Sequence, residues 1–110
     1  MSGLQTIVAA TDLSPASAPA LRYAADLAAR TDAQLHVVFA HLLFRSDGAA
    51  SGEVAESVLR LRVERFALET LGHTDTLQIV VERGISAPEV LLDYASGVDA
   101  DVLVLSLIHI

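Results

Sequence analysis

The stretch Thr6-Ile-Val-Ala-Ala-Thr-Asp-Leu-Ser-Pro-Ala-Ser17 decides the fold. Its apolar run, Ile7 to Ala10, stops at Thr11-Asp12. A strand apolar on both faces belongs under helices on both sides. Ser14 suits a helix N-cap and Pro15 the first helical position. The run therefore predicts a strand that carries a carboxylate to its own carboxyl end, beside a helix N-terminus. Open α/β sheets place their ligands there.

Downstream, the first helix is expected to reach about Arg30. Ala20, Ala24, Leu27 and Ala28 form its buried stripe, and Thr31-Asp32 ends it. Leu35–Ala40 reads as the second strand, with His41 just past it. Residues 45–53 are polar and glycine-rich, a surface loop. A second helix is expected over Glu53–Leu71. Leu59, Val63, Phe66 and Ala67 keep helical spacing, Glu56–Arg60 is an i,i+4 pair, and the charges read as a solvated face. Gly72 is its C′ residue. Leu77–Glu82 is the third strand, and Gly84 turns the chain. Ser86-Ala-Pro-Glu89 is a capping box opening a third helix, Ala87–Ser96, closed by Gly97. Asp101–Leu105 begins the fourth strand. Strands alternating with helices predict an α/β fold, an open parallel sheet with helices on both faces, in one domain spanning 1–110.

Composition narrows the function. Of the 110 residues 53% are hydrophobic, which excludes disorder. No apolar stretch reaches the roughly 18 residues of a membrane span. The N-terminus lacks the basic region and apolar core of a signal peptide, so a cytoplasmic protein is expected. Without cysteine there is no disulfide framework and no thiolate metal site. The net charge of −7 repels phosphate backbones and argues against nucleic-acid binding. All seven basic residues are Arg, so P-loop, Schiff-base and receiver-type lysines are excluded. The six glycines never approach dinucleotide or Walker spacing.

Asp12 is the leading functional candidate. Its carboxylate could accept hydrogen bonds from an adenine amino group or a ribose hydroxyl. It could equally be a turn residue that bonds nearby amides. The adjoining helix N-terminus offers free N–H groups to a phosphate, as most α/β proteins do. His36, His41, His73 and His109 lack metal-ligand spacing. His36 reads as packed or capping, His41 as a candidate ligand contact and His73 as loop. Ser14 has no nucleophile elbow, and nothing groups as Ser-His-Asp. No enzyme is expected.

The Thr-Asp-x-Ser turn at residues 11–14 and Ala-Leu-Arg-Tyr-Ala-Ala-Asp-Leu-Ala at 20–28 together resemble the universal stress protein (UspA) family. Leu35–His41, Gly84 before a proline-containing helix start, and Ala-Asp-Val-Leu-Val at 100–104 resemble it too. The likeness covers residues 5–104. It implies strand order 3-2-1-4-5, a cytoplasmic homodimer and, in many members, ATP in the cleft between strands 1 and 4. Carried over by position, Asp12 faces the adenosine, Thr11 lies beside it and Ala40 contacts the base through its backbone. The function implied is stress-responsive regulation with adenine-nucleotide binding. The alternative is a member that binds no nucleotide and acts through dimerisation.

The departure from the family lies after strand 4. ATP-binding members continue into a glycine-rich phosphate segment, a fourth helix and a fifth strand. Here Leu105-Ser-Leu-Ile-His-Ile110 follows instead. These six residues can be back-translated as CTG TCT CTT ATA CAC ATC, the transposon end used in making sequencing libraries. The expectation is a C-terminally truncated member whose residues 105–110 are non-native. Such a chain should be marginal or self-associating, with weak or no ATP binding.

Overall fold

The computed structural model describes residues 4–42 and 55–105. Within them the elements run β1 Thr6–Thr11, a 3-10 turn Pro15–Ser17, α1 Ala18–Thr31, β2 Gln34–Leu42, α2 Glu56–Leu71, β3 Leu77–Gly84, α3 Ala87–Gly97 and β4 Val102–Val104. The four strands form one parallel sheet in the order β3-β2-β1-β4. The predicted α/β architecture and strand order are thus observed. The expected loop at 45–53, the start of the second helix at Glu53 and the tail beyond Leu105, with His109, lie outside the described residues.

Strand alternation splits the core into two layers. Ile7, Ala9, Leu35, Val37 and Val81 face α1 and α2, and pack with Leu21, Ala24, Leu59, Val63 and Ala67. Val8 and Val38 point the other way, against Leu91 of α3, with Val80, Tyr94 and Leu103 around them. Helices therefore cover both faces, which is why β1 reads as a continuous apolar run from Ile7 to Ala10.

Several local expectations are corrected. Ser14 does not cap α1 with its side chain, and the chain enters the helix through the 3-10 turn. The cause is the pair Pro15 and Pro19. Pro19 has no N–H to offer Pro15 four residues back, and its ring would strike that carbonyl. The α-helix can begin only where Pro19 falls in its first turn, and the N–H of Ala18 bonds the Pro15 carbonyl instead. The buried stripe centres on Leu21, Ala24 and Ala28, while Ala20 and Leu27 are half-buried. His41 lies within β2, not past it.

At the other corners, Gly84 is the last residue of β3 and makes no turn of its own. A Cβ there would lie 2.2 Å from Cγ2 of Val90, so close packing of α3 demands the glycine. Gly97 does not end α3 by reversing the chain; Asp99 takes the left-handed conformation, at φ 57°. Gly72 does close α2 at φ 85°, its N–H on the Leu68 carbonyl. Ser86 caps α3 by accepting from the Glu89 N–H. Asp101 precedes β4 and serves as a clip: its Oδ2 accepts from the N–H groups of Gln5, at 2.8 Å, and Thr6, at 3.0 Å. Its own N–H donates to the Thr6 carbonyl. Those donors hold the Asp101 carboxyl below the usual carboxylate range.

Candidate functional site

The chain leaves β1 through α1 on one face and returns to β1's other side, as β4, from α3 on the opposite face. This reversal makes the carboxyl ends of β1 and β4 the topological switch point of the sheet, the place where open α/β folds take their ligands. Among the described residues β1 pairs with β4 as far as Ala9↔Val104. β1 pairs with β2 as far as Thr11↔Phe39. Ala40, half-buried, therefore sits one step further along, at the level of Asp12.

The tip of β1 is built by hydroxyl and carboxylate bonds. The Thr11 hydroxyl is buried, accepts from the Leu13 N–H at 3.0 Å and lies 2.9 Å from the Ser17 hydroxyl. Ser17 Oγ donates onward to the Ser14 carbonyl. A hydroxyl has one proton, so Thr11 must donate to Ser17. Its side chain thus fastens the turn from below. Asp12 is exposed above it, and its Oδ1 accepts from both the N–H and the hydroxyl of Ser14. Between them Leu13 adopts φ 68°. A left-handed leucine costs about 1–2 kcal/mol and persists only where its surroundings impose it. Here the Thr11 bond to its N–H and packing of its side chain on the core impose it.

The predicted residues Thr11, Asp12 and Ala40 thus come together at one sheet end. His41 is half-buried on the neighbouring strand, in register with Arg83. His36 lies near the amino end of β2 and is buried. Its Nδ1 is 2.7 Å from the Tyr94 hydroxyl and its Nε2 is 3.2 Å from Gln34 Oε1. Burial lowers its pKa. Burial, and then the charge of Glu82, raises that of Tyr94. His73 is an exposed loop residue paired with Asp75. Ser17, Asp101 and Tyr94 gave no local signal, since each acts through partners distant in the sequence or around a turn.

A groove of about 640 Å³ lies elsewhere, between the end of β3 and α3, lined by Glu82, Arg83, Glu89 and Asp93 among others. None of Thr11, Asp12 and Ala40 lines it, so it lies apart from the switch point. Among the described residues no group of three or more His, Cys, Asp or Glu could hold a metal ion, and no helix is long and apolar enough to cross a membrane.

Comparison with known proteins gives one consistent result. The family model described as "Universal stress protein family" matches residues 3–107. A solved universal stress protein in complex with cAMP is 25% identical, covering 93% of this chain and 71% of its own, with a TM-score of 0.65. A universal stress protein family member from Burkholderia pseudomallei is 22% identical over 96% and 83%, with a TM-score of 0.70. One from Archaeoglobus fulgidus is 20% identical over 92% and 73%, at 0.61. No curated protein matches the chain.

Proposed function

The chain belongs to the universal stress protein family, and from that premise we propose that it is a stress-response regulatory protein that takes an adenine nucleotide at the carboxyl ends of β1 and β4. The observation that carries this reading is the exposed Asp12 carboxylate, held by Ser14 at the reversal point of the sheet. The similar protein bound to cAMP supports the ligand class. In this reading Asp12 accepts from the ribose or the adenine amino group. The Ala40 backbone meets the base, and Thr11 positions the turn from beneath without touching the ligand. The protein works in the cytoplasm as a homodimer and catalyses no reaction of its own.

The phosphates contribute little. The net charge of −7 opposes their approach. ATP is therefore bound weakly, and adenosine, cAMP and ATP should differ by less than about tenfold in affinity. Titration calorimetry with these three ligands and GTP tests this. Asp12→Ala should abolish the adenosine response while leaving the thermal midpoint within a few degrees. GTP binding as tightly as ATP, or Asp12→Ala binding unchanged, refutes the reading.

The bond of Asp12 to Ser14 favours one alternative: the carboxylate is spent on its own turn, and the protein binds no nucleotide and acts through dimerisation. The same titration separates the two.

A further inference from the structure

Among the described residues β3 is an edge of the sheet, paired with β2 on one side only. An edge strand presents backbone N–H and C=O groups to whatever can add to it. The chain itself occupies the amino half of this edge. The Leu77 N–H donates to the Thr74 carbonyl at 3.1 Å, and the Arg60 guanidinium, from α2, donates to the Ile79 carbonyl. The odd-numbered residues of β3 therefore turn their backbone groups away from β2. By the same alternation those of Arg83 face outward. Arg83 is exposed, as is Ile85 just past the strand, at 69%. Among the described residues no such bond caps either of them.

The groove between β3 and α3 lies beside this open half, and its charge is one-sided. Val80 packs on the α3 face of the sheet and Val81 on the opposite face, so alternation sends Glu82 toward α3 and the Arg83 side chain away. Glu82, Glu89 and Asp93 all line the groove. Glu89 and Asp93 stand four residues apart on one helix face, where like charges repel. Among the described residues none of the three carboxylates has an ion-pair partner.

We propose that the carboxyl half of β3 takes an extended peptide as a further strand, one whose alternate side chains are arginine or lysine. Strand addition satisfies the outward backbone groups of Arg83 and Ile85. The Arg60 bond limits where the strand begins, because it blocks the edge at Ile79. One face of the peptide enters the groove, where the three carboxylates select basic side chains. Their apolar stems lie along Ile85 and Val98, which line the same groove. The surface is separate from Thr11, Asp12 and Ala40, so the inference does not rest on the nucleotide reading.

Fluorescence anisotropy of the full chain at low salt tests the proposal, with a labelled hexapeptide that alternates arginine and threonine. Saturable binding is expected. Glu82→Gln with Asp93→Asn should weaken it by about fivefold or more, while the thermal midpoint stays within a few degrees because both side chains are exposed. The peptide is also made N-methylated at every second residue, in both phases. The charge is kept, but only one phase blocks the bonds to β3. That phase should bind at least about tenfold more weakly, and the other within about threefold of the parent. Amide hydrogen exchange should slow at Arg83 and Ile85 on binding. No saturable binding, indifference to the carboxylate substitutions, two N-methylated phases that bind alike, or spermine binding as tightly as the peptide overturns the proposal.

Discussion

Replacing Gly84 with alanine tests how α3 is seated on the sheet. The backbone there is not left-handed, so alanine is conformationally acceptable and would reduce unfolded-chain entropy, a gain of about 0.4–1 kcal/mol. Against this, its Cβ would fall 2.2 Å from Val90 Cγ2, far inside van der Waals contact. Val90 is a buried β-branched residue on a helix, with one strongly preferred rotamer, so its methyl cannot swing clear. Overpacking of this kind costs about 1–3 kcal/mol. The clash wins, and a net loss of about 1.3 kcal/mol is expected. Val90→Ala alone removes two buried carbons and should cost about 1.6 kcal/mol. In the double variant the clash is gone and the entropy gain remains, so the loss should be only about 1 kcal/mol. Urea denaturation of the four proteins measures this cycle, with a coupling of about 2 kcal/mol expected. Gly84→Ala within about 0.5 kcal/mol of the parent, or simple additivity, would refute the packing argument.

Three further outcomes are expected. Asp101 has a lowered folded pKa, so the stability it supplies is present above about pH 4 and is lost as pH falls through its folded value. Asp101→Asn should remove that acid-side dependence, checked by urea midpoints between about pH 2 and 6; parallel curves would count against the clip. His36 also has a lowered folded pKa, but as a base: the unfolded chain takes up its proton first, so stability declines as pH drops below about 6.5 and levels off beneath the folded value. His36→Gln should flatten that decline, and an unaltered slope would assign it to other groups. Tyr94→Phe leaves the buried Nδ1 of His36 without its 2.7 Å partner and should cost about 1–3 kcal/mol in a thermal or urea melt.

The fold was legible because its signals are local. Ile7–Ala10 is apolar on both faces and Leu35–Ala40 is broken only by His36, the pattern of strands covered by helices on both sides. Gly72 and Ser86 act at helix ends within four residues of their partners, so composition and spacing reveal them. The entrance to α1 departs from the expected cap although its cause is local. Ser14-Pro15 is a good helix opening until Pro19, one turn later, forbids the bond that would complete it.

For the candidate site, the sequence determined which residues share the end of β1, because a strand and the turn after it are contiguous. It could not decide what their side chains do. Thr11 points inward to Ser17, and Asp12 closes its bond on Ser14, because a tight turn brings these hydroxyls together in three dimensions. Tertiary structure alone joined Asp101 to Gln5 and Thr6, 96 and 95 residues away, and set Val90 against Gly84. The inner face of α2, by contrast, was already legible: Leu59, Val63 and Ala67 keep helical spacing and are the residues the helix buries, because periodicity shows which stripe can pack on a sheet.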